Sequence, residues 1–320
     1  MTGTPPLLAV LGPTASGKSH LAVRLAQRFG GEIINCDSLQ MVRYFDIGSA
    51  KPTLEERQGV PHHLWDVLNP DEEFSAGEYS RRAREILAVL TARRKLPIVV
   101  GGTGFYLRAL LDGLFAGPQR NPELRERLQS RAAQKGSAYL HRLLRRRDPA
   151  SAAVIHPNDT PKIIRALEVC FQVGRPLSEL FGEGRQALQG YAVIKVGLNP
   201  PRAELHQRID ERTRLMFQRG LVEEVREILA RGYPKSAAPF QSFGYREALA
   251  YIDGRIDLEE AIRLAQTGTR QYAKRQMTWF RKETGVHWFA GFGTAPAILS
   301  QVIPCVAERL ASCGSPQTGT

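Results

Sequence analysis

Near the N-terminus, Leu7-Leu-Ala-Val-Leu-Gly-Pro-Thr-Ala-Ser-Gly-Lys-Ser19 restricts what this chain can fold into more than any other stretch. An apolar run ends at Gly12, and Gly17-Lys18-Ser19 follow at the spacing of a phosphate-binding P-loop, G-x-x-x-x-G-K-[ST]. Glycines let the backbone curl until successive N–H groups face one anion, and the following helix adds its positive N-terminal end. The residues expected to hold the anion are Gly12, Pro13, Thr14, Ala15, Ser16, Gly17, Lys18 and Ser19. Lys18 would reach an outer phosphate, and the Ser19 hydroxyl would ligate Mg²⁺. A chance glycine turn is the competing reading. Against it stand the apolar strand before the loop and the amphipathic run after it, Leu21, Leu25 and Phe29. The spacing specifies a held phosphate and leaves open which molecule carries it.

Around the loop, strands and helices alternate. Leu7–Leu11 reads as a strand, Lys18–Phe29 as a helix, and Glu32–Cys36 as a second strand ending at Asp37-Ser38. A long helix follows over Ala76–Arg94, with Ile86, Leu87 and Leu90 on one face. A third strand, Leu96–Val100, runs into Gly101-Gly102-Thr103-Gly104. This order predicts an α/β fold, a P-loop NTPase-like parallel sheet core whose ligands gather at the carboxyl ends of the strands. The P-loop, Asp37-Ser38 and Gly102-Thr103 all fall at such ends.

From about Gly117 the texture changes. Pro118, Asn121 and Pro122 mark a break, and arginine-rich helices are expected over Pro122–Lys135, Ala138–Arg147 and Pro161–Val173. A helical insertion domain over 117–189 is therefore expected to interrupt a core made of 1–116 and 190–290, with the strand Ala192–Leu198 returning to the sheet. Helices are expected over Glu204–Gly220, Leu221–Gly232, Tyr245–Asp253 and Leu258–Glu283. Residues 291–320 read as a C-terminal helix and a frayed tail.

Lys and Arg number 44 against 32 acidic residues, which gives a net charge of +12 and a pI near 9.8. Such an excess fits a polyanionic partner such as RNA, with a solvated arginine surface as the bland reading. No apolar run approaches the ~20 residues of a membrane span, and no signal sequence is evident, so a cytoplasmic protein without a membrane partner is expected. Cys36, Cys170, Cys305 and Cys313 are scattered without a C-x-x-C pair, which argues against zinc or a disulfide framework.

Asp37, just past a strand, is placed to act as a general base, to hold Mg²⁺ through water, or simply to cap the next turn. Thr103 offers a hydroxyl and loop N–H groups to a phosphate, unless the glycines serve tight packing alone. Adjacent His62 and His63 cannot share a strand or helix face, so hydrogen-bonding roles are expected of them rather than metal ligation. On Leu258–Glu283, Arg263, Arg270, Lys274 and Arg281 line one stripe, flanked by Arg275 and Lys282. Ile262, Ala265, Tyr272 and Trp279 lie on another face suited to a core. The cationic stripe, about 27 Å long, is able to follow a nucleic-acid backbone. No apolar strand ends in a separate Asp, and no arginine-bearing lid is evident, which weakens phosphoryl transfer.

Several ordered motifs together resemble the tRNA dimethylallyltransferase (tRNA isopentenyltransferase) family of bacterial type, over nearly the whole chain to about residue 289. They are Gly12–Ser19, Asn35-Cys-Asp-Ser-Leu-Gln40, Asp46-Ile-Gly-Ser-Ala-Lys-Pro52, Gly59-Val-Pro-His-His-Leu64 and Val100-Gly-Gly-Thr-Gly-Phe-Tyr-Leu107. The series continues with Ile155-His-Pro-Asn-Asp159, Arg165-Ala-Leu-Glu168, Gly244-Tyr-Arg246 and Arg270-Gln-Tyr-Ala-Lys-Arg-Gln276. The resemblance implies transfer of a dimethylallyl group from dimethylallyl diphosphate to N6 of the adenosine 3′ to the anticodon, with Mg²⁺ as cofactor and diphosphate as product. It implies that Asp37 accepts the amine proton, that Thr103 helps bind the diphosphate, and that an arginine of Arg208-Ile-Asp-Glu-Arg212 joins it, Arg212 being favoured. It also implies a flipped-out target base.

By the same resemblance the tRNA contacts fall on Asp37, Ser38, Leu39, Gln40 and Thr103, and on Pro161, Lys162, Ile163, Ile164 and Arg165. They continue on Gln241, Ser242, Phe243, Gly244, Tyr245 and Arg246, and on Lys274, Arg275 and Arg281. The helical insertion would clasp the anticodon stem-loop, and the chain is expected to act as a monomer. It departs from the family pattern at Met41-Val42-Arg43-Tyr44, where Val-Tyr-Arg-Gly is common. It departs again at Thr160-Pro161-Lys162, where arginine is more frequent and a forked contact becomes a point charge. Phe243 is bulkier than the usual aliphatic residue, and the zinc extension of eukaryotic relatives is absent. The alternative function is a P-loop kinase of a nucleotide or small metabolite.

Overall fold

Long apolar runs bounded by glycine can bury both faces of a strand, which is what parallel sheets require. In the computed structural model, which describes residues 4–115, 117–182 and 184–314, these runs form one six-stranded sheet. Its strands are β1 (Pro6–Leu11), β2 (Gly31–Asn35), β3 (His62–His63), β4 (Leu96–Val100), β5 (Ala192–Leu198) and β6 (Val286–Phe289). The order is β3-β2-β4-β1-β5-β6, and every neighbouring pair is parallel. Leu8 at the centre stands opposite Ile98 on one side and Ile194 on the other. The connection from β1 runs toward one edge and that from β4 toward the other, so the crevice at their carboxyl ends is the topological switch point.

Four helices follow the first strands: α1 (Lys18–Phe29), α2 (Leu54–Arg57), α3 (Ala76–Ala92) and α4 (Gly104–Leu111). Helix α1 starts after a left-handed Gly17 and ends at a left-handed Gly30, whose N–H closes on Ala26. Thr53 and Glu56 form a capping box on α2, and Ser75 caps α3.

The chain divides into two compact units, Met1–Leu110 with Gln189–Thr320, and Leu111–Leu188. The second unit consists of α5 (Pro122–Lys135), α6 (Ser137–Arg147), α7 (Pro149–Val154), α8 (Thr160–Val173) and α9 (Leu177–Gly182), with no strand among its described residues. Leu128, Leu140, Leu144, Ile163 and Leu167 fill its core. Buried Asp148 accepts bonds from Ser151 and Ser178 and so ties α7 to α9. The unit begins at 111 rather than at the composition break near 117. Its ends meet where the Leu188 N–H donates to the Leu111 carbonyl at 2.8 Å, a pairing invisible in local composition.

The first unit also carries α10 (Arg202–Gln218), α11 (Leu221–Ala230), α12 (Tyr245–Ile252), α13 (Leu258–Phe280) and α14 (Pro296–Gly314). One apolar core joins the sheet to α1 and α14, and another gathers Phe45, Leu221, Phe240 and Tyr245. Strands β3 and β6 were not expected from the sequence. Both are short, and both exist because a neighbouring strand offers them a ladder. Part of the expected tail, 315–320, lies outside the described residues.

Candidate active site

The P-loop curls where side chains are not tolerated. A Cβ on Gly12 (φ 145°) would lie 2.9 Å from the Leu198 carbonyl oxygen, and Ala15 itself is held in the left-handed region at φ 63°. The Lys18 Nζ donates to the Pro13 carbonyl at 2.7 Å. Thr14 is committed twice: its N–H donates to Gln276 Oε1 at 2.8 Å, and its hydroxyl accepts from Arg212 Nη2 at 2.5 Å. The buried Ser16 Oγ and Arg212 Nε have no partner. A loop with unmet polar atoms beside two cations is ready for an anion.

Lys18, Arg212 and Asp37 line one cavity of about 540 Å³ at the carboxyl ends of β1, β2 and β4. Burial lowers the Lys18 ammonium to about 7; the nearby Asp37 carboxylate works against that shift, and the Arg212 charge adds to it. Burial also lowers Arg212 to about 10, with Asp37 opposing. The Asp37 carboxyl is raised by burial, against the N–H of Leu39 and the Lys18 charge, which lower it. Two buried cations therefore face one carboxylate. Exposed Arg208, Glu56 and Glu211 line the same cavity, so its preference for an anion rests on the inner pair of cations and on the N–H groups of the loop.

Asp37 caps the next turn and also lines the cavity. Its Oδ1 accepts the Leu39 N–H at 3.1 Å, an Asx turn. Asn35 fixes the segment by exchanging bonds with the Asp37 backbone and donating to the Leu64 carbonyl. Ser19 and Gln40 line the same cavity, and the Gln40 amide donates to the Ser49 carbonyl. Thr103 lies beside Asp37 on the neighbouring loop: its N–H donates to the Cys36 carbonyl and its Oγ1 accepts the Ser38 N–H, both at 3.1 Å. A Cβ on Gly101 would fall 2.0 Å from the Cys36 oxygen, so this approach requires glycine.

Sequence reasoning missed Gln276. Only 5% exposed, it donates from Nε2 to the Gly102 carbonyl at 3.0 Å while accepting from Thr14, and so joins the P-loop to the loop after β4. A glutamine on an amphipathic helix carries no local mark of such a role; its place in the Arg270–Gln276 segment was the only pointer. Tyr272, expected on the core face, is half-buried, and its hydroxyl is raised first by burial and then by the Asp37 charge.

The expected RNA-facing residues are not all surface residues. Tyr245 is 0% exposed, and its hydroxyl donates to Glu224 at 2.5 Å and accepts the Gly48 N–H at 3.1 Å. Its side chain orders the loop at 46–48 and has no face left for RNA. Gly244 beside it is buried. Ile163 and Ile164, 0% and 3% exposed, are core side chains of the helical unit, so only their backbone is left to meet RNA. In the same unit Lys162 pairs with Asp159, and Arg165 bonds Glu168 and the Pro118 carbonyl, while Pro161 is exposed.

Gln241 and Arg246 are exposed, Leu39 is half-buried, Ser38 is exposed, and the Ser242 hydroxyl bonds the Pro239 carbonyl. The guanidinium of Arg246 lies 4.4 Å from the Phe243 ring centroid and that of Arg275 5.6 Å. The cationic stripe is partly structural, because Arg263 pairs with Glu260 and Arg270 with Asp210. Lys274, Arg275 and Arg281 are exposed. Lys274, Arg275, Lys282 and Arg108 border an open groove floored by Trp279. His63 bonds Glu32 at 2.8 Å and His62 the Val60 carbonyl at 2.7 Å. Among the described residues no three His, Cys, Asp or Glu side chains gather as a metal cage.

A parallel sheet with a glycine-rich loop at its switch point, a carboxylate in the same cavity and a long basic helix defines a P-loop-like protein. The family model for IPP transferase matches residues 40–283, and the chain belongs to that family. A tRNA dimethylallyltransferase of Solibacter usitatus is 56% identical over 95% of this chain and 99% of its own length. Its counterpart in Koribacter versatilis is 54% identical over 94% and 98%. The crystal structure of the tRNA isopentenylpyrophosphate transferase of Bacillus halodurans superposes with a TM-score of 0.72 at 36% identity, covering 96% of this chain and 97% of that one. A eukaryotic dimethylallyltransferase captured acting on tRNA superposes at 0.82 with 28% identity, covering 96% and 80%.

Proposed function

We propose that this protein transfers a dimethylallyl group from dimethylallyl diphosphate to N6 of the adenosine 3′ to the anticodon of tRNA, releasing diphosphate. The observation that carries the reading is the pair of buried cations, Lys18 and Arg212, facing Asp37 across one cavity. The relatives' names favour this over a P-loop kinase.

In this reading the P-loop amides, Lys18 and Arg212 take up the charge that grows on the departing oxygen as the C–O bond breaks. N6 attacks the freed carbon, a C–N bond forms, and Asp37 accepts the amine proton. Its raised pKa brings it closer to the working pH, which suits a base. Thr103, on the loop beside Asp37, would help bind the diphosphate, and a base already in a loop leaves its stack at low cost. Exposed Lys274, Arg275, Arg281 and Arg246, with Phe243, would contact the tRNA, and the helical unit with Pro161, Lys162 and Arg165 would clasp its anticodon stem-loop.

The residues fit Mg²⁺. Ser19 supplies a hydroxyl in the cavity, and Mg²⁺ commonly takes few protein oxygens, filling its shell with phosphate and water. When bound it would neutralise charge on the leaving diphosphate. No helix among the described residues is long and apolar enough to cross a membrane, and we place the protein in the cytoplasm, acting as a monomer.

The test is incubation with Mg²⁺, dimethylallyl diphosphate and unmodified tRNA, followed by nucleoside mass analysis. Prenylated adenosine next to the anticodon is expected. No product, together with phosphate transfer from ATP to a small acceptor, would refute the reading.

A further inference from the structure

The segment after β6 does not leave the sheet for solvent; it turns back onto the P-loop. The Gly293 N–H donates to the Ser16 carbonyl at 2.9 Å. The two backbones approach so closely that a Cβ on Gly293 would lie 2.5 Å from the Gly17 oxygen, and one on Gly17 would lie 3.0 Å from the Gly293 nitrogen. Phe292, 5% exposed, packs with Leu205, Ile209 and Ala273, and the strained Ala15 rests on that cluster. The turn therefore braces the loop at its tip, and it lies beyond the segment matched by the family model.

The same turn fixes Arg208. The Arg208 guanidinium carbon sits 3.6 Å from the Phe292 ring centroid, and its Nη1 donates to Thr294 Oγ1 at 3.1 Å. Arg208 and Arg212 are one helical turn apart on α10, and both line the cavity, as do Thr294 and Glu211. Glu211 is bonded by Gln207 at 2.9 Å. An arginine seated over a ring and held by one N–H has lost much of its rotamer freedom before a ligand arrives, so its remaining donors bind at little further entropic cost.

We propose that the turn 291–294 is a wall of the diphosphate site, in which Phe292 and Thr294 position Arg208 to grip the phosphate distal to the prenyl group. Arg212 and Lys18 serve the buried end, and Arg208 the end nearer solvent. The proposal rests on the reading of this cavity as a diphosphate site. Because Arg208 meets only the second phosphate, it discriminates diphosphate from monophosphate.

Calorimetric titration of the full chain with Mg²⁺-diphosphate, and separately with inorganic phosphate, tests this. Arg208→Gln removes charge-assisted bonds and is expected to weaken diphosphate about tenfold while leaving phosphate within about twofold. Thr294→Val is expected to weaken diphosphate about threefold in the wild-type background and to have no further effect beside Arg208→Gln, because it acts through that arginine. Phe292→Leu should behave as Thr294→Val does, and Phe292→Tyr, which keeps the ring, should keep wild-type affinity. Wild-type diphosphate binding by Arg208→Gln, or an equal Thr294→Val effect in both backgrounds, overturns the positioning role. A wild-type chain that binds no diphosphate overturns the reading of the cavity itself.

Discussion

Lys18 makes a quantitative demand on ligand binding. Burial holds its ammonium at about 7 in the ligand-free protein, against an ordinary value of 10.5. A polyanion seated against Nζ returns it toward the ordinary range, so binding must draw a proton from solution. With a midpoint near 7, the uptake should be ~0.1 proton at pH 6, ~0.5 at pH 7 and ~0.9 at pH 8. Above pH 7 each unit costs about 1.4 kcal/mol to recharge the amine, so the apparent affinity should fall toward tenfold per unit. The assay is calorimetry of Mg²⁺-diphosphate binding in buffers of different ionisation enthalpy. Subtracting the same titration of Lys18→Met cancels the ligand's own ionisation. A difference that does not change with pH, or a net proton release, would refute the placement of Lys18 as a buried, charge-starved ammonium.

The same lowered lysine costs ligand-free stability. The unfolded chain binds more protons than the folded one between about pH 7 and 10.5, so stability should rise with pH through that window. Lys18→Met should therefore raise the ligand-free Tm at pH 7 by several degrees, seen in thermal melts, while weakening stabilisation by diphosphate. Asp37→Asn should lower turnover about 10²-fold or more with tRNA affinity nearly unchanged in filter binding. Since Asp37 is raised, the acid limb of wild-type turnover should lie above 3.8, with rate rising as pH rises through it. Gln276→Leu strands the Thr14 N–H and the Gly102 carbonyl, so chemical denaturation should show a loss of about 2–4 kcal/mol. An unchanged midpoint would remove Gln276 as the tie between the two loops.

How much was legible follows from where each feature gets its shape. The P-loop, β1, β2 and β4 are written locally: glycine spacing and unbroken apolar runs dictate them, and their shared sheet end brings Asp37 beside Lys18. Strand β6 is not, because Val286–Phe289 becomes a strand only by pairing with β5. Helical spacing placed Arg270 correctly on its stripe, yet could not know that Asp210 on α10 would pair with it. Tyr245 stands in a motif segment whose chemistry is long-range, since its partners Glu224 and Gly48 are distant in sequence. Phe292 and Thr294 were read as part of a terminal segment, and only the return of that segment onto Ser16 shows their place at the cavity.

The central claim is that this P-loop holds a leaving group rather than a phosphoryl group in transit. Phosphorus NMR of a complete reaction with tRNA and dimethylallyl diphosphate tests it most directly. Intact diphosphate released in one-to-one proportion with prenylated adenosine is the predicted result. Orthophosphate, or phosphorus appearing on the RNA while the prenyl group stays on its diphosphate, would contradict the account.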